Sequence, residues 1–167
     1  FAILDAMKKL PIGIQDFRTL REGGYLYVDK TELIFQLVDQ GKYYFLSRPR
    51  RFGKSLLVST LKELYQGNRE LFKGLWIEDK WNWEEAHPVI HISYNDLGYK
   101  ELGLRAAIKK ALTHNAEYHG ISLEEESITL RFKELVHKLS EKNRVVLLID
   151  EYDKPLIDFI NDPELLD

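Results

Sequence analysis

The amino-acid sequence predicts an α/β fold, a three-layer α/β/α sandwich around a parallel sheet, and three observations predict it. Short apolar runs at Tyr43–Leu46, Val89–Ile92 and Arg144–Ile149 alternate with longer stretches of helical periodicity. Those stretches are long enough to serve as crossovers, which are right-handed between parallel strands and stack helices on both faces of a sheet. The last run, Val145-Val146-Leu147-Leu148-Ile149, is apolar throughout, the pattern of a central parallel strand covered on both faces.

Length and composition bound the rest. At 167 residues the chain is long enough to bury a core. With 44% hydrophobic and 31% charged residues it has the composition of an ordinary globular protein rather than a disordered one. A net charge of -3 gives no global attraction to nucleic acid or an anionic membrane, so affinity for polyphosphate must come from a local patch. Cysteine is absent, which excludes disulfides, thiolate metal sites and a thiol nucleophile and fits a reducing cytoplasm. No apolar run approaches the roughly 18 residues needed to span a bilayer. Phe1–Leu10 reads as a short amphipathic helix without the order of a signal peptide, so the expected location is cytoplasmic and no membrane partner is expected. An opening Phe1 in place of Met points to a start inside a longer chain.

Taken in order, Pro11–Val28 is a loop-rich lead carrying Gly13, Gly23 and Gly24. A helix is expected from Asp29, where Asp29 and Glu32 have the spacing of a capping box ahead of Leu33, Ile34, Leu37 and Val38, and Gly41 ends it. Residues 11–42 thus form a lead segment and helix, and 43–167 a core. Tyr43–Leu46 reads as a buried strand, Ser47–Phe52 as a tight basic turn, and Lys54–Tyr65 as a helix with Leu56, Leu57, Leu61 and Leu64 on one side. Asn68–Lys73 is a short helical turn. Val89–Ile92 is a second strand, helices are expected over Tyr99–His119 and Ser127–Lys142, and Arg144–Ile149 is the third strand.

The turn before Lys54 carries the first chemical signal. A phosphate loop needs backbone N–H groups converging at a helix N-terminus, a lysine to reach the β- and γ-phosphates, and a hydroxyl for magnesium. Gly53, Lys54 and Ser55 supply these in order, and Arg50, Arg51, Phe52, Gly53, Lys54, Ser55 and Leu56 are the candidate cradle. The usual spacing asks for a further glycine at position 48, where this chain has Arg48. The bland alternative is a basic surface turn in which Arg48, Arg50, Arg51 and Lys54 are solvated.

The second signal decides between them. The strand ending at Ile149 delivers Asp150 and Glu151, the Walker B pattern: Asp150, with Ser55, is the candidate magnesium holder, and Glu151, with Lys54, the candidate catalytic residue, Glu151 polarising water. Either motif alone arises often by chance. Two motifs in the right order, on the right elements and roughly ninety residues apart, point to one site. An acid directly after the aspartate marks the P-loop division in which a further strand follows Walker B in sequence and lies between the two motif strands. Only Tyr152–Asp167 follow here, so residues 1–167 are expected to be an N-terminal, incomplete portion of a P-loop NTPase core, without its sensor strand or arginine finger.

The chain also resembles a known family, the bacterial and archaeal AAA-ATPase-like proteins. The resemblance is carried by Pro11-Ile12-Gly13-Ile14 with Asp16-Phe17, by Tyr27-Val28-Asp29-Lys30-Thr31 and by Ser47-Arg48-Pro49-Arg50-Arg51-Phe52-Gly53-Lys54-Ser55. It continues in Pro88-Val89-Ile90-His91-Ile92 and Leu148-Ile149-Asp150-Glu151-Tyr152-Asp153-Lys154-Pro155. It implies that Arg48 is this family's own form of the loop, that the nucleotide is ATP with Mg2+, and that the full-length protein carries a C-terminal restriction-endonuclease-like domain acting on nucleic acid. It also implies that Gly13–Thr31 lies near the adenine; the residues alone read Asp29 and Thr31 as helix caps. Asp153 reads as a cap for a helix starting near Pro155.

Other candidates fall away. His87 and His91 share an i,i+4 spacing, but Pro88 and the strand pattern place them off a helix, so no zinc set is expected. Trp76, Trp81 and Trp83 read as packing anchors rather than base-stacking platforms. The leading function is Mg-dependent ATP hydrolysis coupled to an effector such as a nuclease. The alternative is a nucleotide-dependent switch with little or no hydrolysis. A small-molecule kinase and a nucleic-acid binder resting on Arg48, Arg50 and Arg51 are weaker readings.

Overall fold

The computed structural model describes residues 8–47, 49 and 51–161. The helix expected over Phe1–Leu10 lies largely outside the described residues, and Lys8–Leu10 belong to no helix. The described residues mix helices with a parallel sheet, an α/β chain, and the contacts divide it at Ala86–His87 into two compact units.

The first unit is helical. It holds α1 (Phe17–Glu22), α2 (Thr31–Gln40) and α3 (Lys54–Tyr65), then short 3-10 turns at Arg69–Phe72 and Trp76–Asp79. Asp16 starts α1 by accepting the Thr19 N–H at 2.7 Å, satisfying one of the donors a helix start leaves open. α1 docks on α3 through polar as well as apolar contacts. The Phe17 N–H donates to Ser59 Oγ at 2.8 Å, and the buried Glu63 carboxylate accepts Arg18 Nη2 at 2.7 Å and Asn68 Nδ2 at 2.6 Å. Such a carboxylate is tolerable inside only because its oxygens are occupied. Phe17, Leu64, Phe72 and Ile77 form the apolar centre. The Phe17 and Phe72 ring centroids lie 4.8 Å apart, and Trp83 packs 5.2 Å from Phe72. Trp81 and Trp83 are thus packing anchors, as their sequence context suggests, and Trp76 meets Phe35 edge-on.

Two expectations for this unit are corrected. The N-cap position of α2 is Lys30, not Asp29, and Asp29 acts from one residue earlier. Its Oδ1 accepts the N–H and hydroxyl of Thr31, while Oδ2 accepts the Trp76 N–H at 2.7 Å. Asp29 therefore ties α2 to the tryptophan segment; burial pushes its carboxyl up, but those hydrogen bonds outweigh burial and hold it below its ordinary value. Tyr43–Leu46 is not a strand. Tyr43 is 93% exposed and Phe45 72%; an apolar run becomes a strand only when it joins a backbone ladder, and the two-stranded sheet of the described residues does not include this run.

The second unit carries the sheet. β1 (Val89–Ser93) and β2 (Val146–Asp150) pair in parallel, with Val89 opposite Val146 and Ser93 opposite Asp150. α4 (Tyr99–Leu102), α5 (Leu104–Tyr118), α6 (Ile128–Ser140) and α7 (Lys154–Asn161) complete it. The single helix expected over Tyr99–His119 is broken at Gly103, whose φ of 76° and ψ of 147° no helix accepts. α5 and α6 cover Ile90 and Ile92 with Leu112, Ala116, Leu135 and Leu139.

The outer edge of β1 is closed by side chains of α5 and of the residue that caps its C-terminus. Asn115 accepts the His91 N–H at 2.9 Å and donates to the His91 carbonyl at 3.0 Å, and the His119 ring meets the Val89 carbonyl. Asn115 thus imitates a neighbouring strand, which blunts an edge that would otherwise template pairing. β2 is less covered than its all-apolar sequence implies: Leu147 is 43% exposed and Ile149 46%. Their partners across the ladder, Ile90 and Ile92, are buried, so the helices blanket β1 and stop short of β2.

Candidate functional site

The residues singled out in sequence fall into two halves, one in each unit. In the first, Arg51, Phe52, Gly53, Lys54, Ser55 and Leu56 form one continuous turn into α3; Arg48 and Arg50 lie outside the described residues. Gly53 is in the left-handed region at φ 75°, and a Cβ there would meet nothing within 4 Å, so the position favours glycine for its backbone rather than for space. Arg51 also has a positive φ, 68°, rare for a side-chain-bearing residue. Two left-handed residues two apart turn the chain sharply into the helix.

The first intrahelical bond of α3 runs from Leu57 N to the Gly53 carbonyl at 3.0 Å. The N–H groups of Lys54, Ser55 and Leu56 therefore lie ahead of the helical ladder, at the positive end of the helix dipole. That is the arrangement an anion needs. Lys54 Nζ donates to the Pro49 carbonyl at 3.1 Å, folding the lysine back across its own loop. Phe52 is largely exposed, whereas Leu56 and Leu57 anchor the helix start on the core of the unit.

The second half sits at the C-terminal end of β2. Asp150 is 8% exposed and is the last ladder residue, with its carbonyl accepting the Tyr94 N–H at 3.1 Å. Its Oδ1 accepts the Glu151 N–H at 2.9 Å. Glu151 has φ 51°, the second non-glycine in the left-handed region among the described residues. Its carbonyl accepts the Lys154 N–H at 3.0 Å as α7 begins. The acids thus stand on a tight strand-to-helix turn, Asp150 held by the ladder and Glu151 by a conformation that costs of order 1 kcal/mol.

Taken separately, the donor in each unit is of a kind that suits magnesium. A serine hydroxyl and a carboxylate are hard oxygen ligands, and Mg2+ is commonly held by one or two such groups together with phosphate oxygens and water. Among the described residues no three His, Cys, Asp or Glu stand together as an all-protein cage, and none is required for an ion that arrives with a triphosphate. Among the described residues no helix is long and apolar enough to cross a membrane.

Some residues around the acids were not visible in sequence. Lys154 Nζ donates to Asn95 Oδ1, the Tyr99 hydroxyl donates to Asp158, and Lys100 Nζ lies 3.3 Å from Asp158. Lys154 and Asp158 are one turn apart on α7, a spacing legible as a pair, but their partners follow a different strand and no local pattern links them.

Comparison with known proteins places the chain. The family model described as Predicted AAA-ATPase matches residues 11–167. A protein of Azotobacter chroococcum mcd 1, described as an uncharacterized protein in vnfD 5'region, is 48% identical over 162 residues, which cover 95% of this chain and 31% of the relative. The chain therefore spans about a third of the length of that relative. No solved structure matches. With its loop, its acid-tipped strand and a family match from Pro11 to its last residue, the chain belongs to the AAA-ATPase-like family.

Proposed function

We propose that the chain is the nucleotide-binding part of a Mg-dependent ATPase, within a three-layer P-loop core whose Walker A to Walker B portion is residues 43–167. The observation that carries the reading is the pair of turns: helix-start amides behind Gly53 in one unit, and a buried carboxylate followed by a second acid at a strand end in the other. One suits a triphosphate, the other an ion and a water.

In this reading the N–H groups from Arg51 to Leu56 cradle the phosphates, with Arg50 contributing charge. Lys54 swings from the Pro49 carbonyl to the γ-phosphate and stabilises the charge that develops on its oxygens. Ser55 and Asp150 hold Mg2+, which when bound neutralises phosphate charge. Glu151 orients a water for in-line attack at the γ-phosphorus and polarises its O–H bond; the β–γ bridging P–O bond breaks and ADP leaves. Cytoplasmic location, and coupling to a nuclease domain acting on nucleic acid elsewhere in the full-length protein, belong to the same proposal.

The test is steady-state phosphate release by the full-length protein. Lys54→Ala and Glu151→Gln are each expected to slow it by about 100-fold or more, the scale on which a single transition-state contact acts. Rates unchanged in both variants refute hydrolysis at this site. A second reading, a nucleotide-dependent switch that hydrolyses slowly, is favoured by the exposed Tyr43–Leu46 run. Burying that run on nucleotide binding would remove several large apolar side chains from water, and ATP binding without turnover would select this reading.

A further inference from the structure

We infer that Tyr99 and Asp158 form a latch that positions Glu151 by fixing α7 against the segment that follows β1; the inference rests on the ATPase reading. The hydroxyl of Tyr99 goes to Asp158 and its ring to Phe159, so it is a positioning residue rather than a catalytic one.

Glu151 occupies a left-handed backbone conformation that its side chain disfavours, and such a conformation persists only where the surroundings hold it. On its N-terminal side it is held by Asp150, buried at the end of the ladder. On its C-terminal side it leads at once into α7, an eight-residue helix whose Leu156 and Ile160 are exposed, so its docking must come from its other face. That face carries Lys154, Pro155, Asp158 and Phe159. Lys154 binds Asn95, Pro155 is buried, Asp158 receives both the Tyr99 hydroxyl and Lys100, and Phe159 meets the Tyr99 ring edge-on at 6.2 Å.

Tyr99 is the centre of this set. It is 5% exposed, and it begins α4 directly after Gly98, which is left-handed at φ 63°. Burial, and next the bond to Asp158, push its hydroxyl up to about 12, so it stays a protonated donor at any physiological pH. A buried phenol donating to a carboxylate is a charge-assisted contact, stronger and more directional than a neutral one. Without it, α7 keeps the Lys100–Asp158 and Lys154–Asn95 contacts and its packing but loses its buried tether, and the Glu151 turn relaxes toward ordinary backbone angles.

The test uses the full-length protein and the variants Tyr99→Phe, which keeps the ring and its packing, and Asp158→Asn. Each is expected to lower kcat for ATP about tenfold while KM stays within about twofold, since nucleotide binding does not involve them. In a Glu151→Gln background Tyr99→Phe is expected to have no further effect, because the latch acts only through Glu151. Amide exchange at residues 151–154 is expected to speed about tenfold in Tyr99→Phe without nucleotide. An unchanged kcat, or an equal further loss in the Glu151→Gln background, overturns the assignment. If Lys54→Ala and Glu151→Gln both leave turnover intact, the ATPase reading fails by itself, and the exchange rates decide the latch: unchanged protection at 151–154 overturns it.

Discussion

The acid-bearing unit and the loop-bearing unit are built to different degrees, and the difference separates what a chain specifies locally from what it specifies by pairing. In the first, β2 has a parallel partner, Asp150 is buried, and side chains from α5 close the far edge of β1. In the second, the turn into α3 is formed in detail, yet the apolar run that leads to it lies exposed and outside the sheet of the described residues. A helix start needs only its own residues and a glycine able to turn left. A strand needs a neighbour.

Breaking the core of the helical unit alone has the largest expected effect. Phe72→Ala is expected to cost about 3–5 kcal/mol, since a fully buried ring is lost along with its contacts to Phe17 and Trp83. If the units are energetically separable, hydrogen exchange at Ile90–Ile92 stays slow in that variant while exchange in α3 accelerates. Equal acceleration in both would show one cooperative unit. Next comes the edge of β1. Asn115→Leu removes the partner of the His91 N–H and carbonyl and is expected to cost about 1–3 kcal/mol in denaturant melts, more than an exposed substitution on the same helix.

A smaller effect is expected at Gly53. The open space around it means that Gly53→Ala costs only backbone strain, about 1 kcal/mol, with an added loss of ATP affinity if the turn shifts. Loss of stability without loss of affinity would show that the turn keeps its shape with a Cβ present. The smallest effect is one of pH. Lys138, with the Glu125 and Glu124 N–H groups, holds the Glu134 carboxyl down to about 2. A depressed carboxyl stabilises the fold above its unfolded value near 4.5 and ceases to do so as pH falls through about 2. Glu134→Gln is therefore expected to lower the melting temperature at pH 7 and to matter progressively less between pH 4.5 and 2. A difference constant over that range would contradict the arrangement.

Much of this was legible in sequence, for identifiable reasons. Lys54–Tyr65 was readable as a helix because its leucines repeat with helical spacing behind a glycine. Val146–Asp150 was readable as a strand because nothing polar interrupts it before the acids. Tyr43–Leu46 has the same apolar character, but composition does not say whether a partner is at hand. The break at Gly103 was missed because one glycine inside a helical pattern is usually tolerated. Of the site, Gly53, Lys54, Ser55, Asp150 and Glu151 were visible as residue types in order. The left-handed backbone of Glu151, the Asn115 plug and the Tyr99–Asp158 contact depend on long-range geometry that no local spacing encodes.

In the proposed ATPase both turns serve a single Mg-ATP. Manganese, which can replace magnesium beside the triphosphate, broadens NMR signals only in its immediate neighbourhood. With ATP and Mn2+ bound to the full-length protein, the amide resonances of Ser55 and Asp150 are both expected to broaden, and both to recover in Lys54→Ala. Broadening at Asp150 alone, or at Ser55 alone, would contradict the shared site.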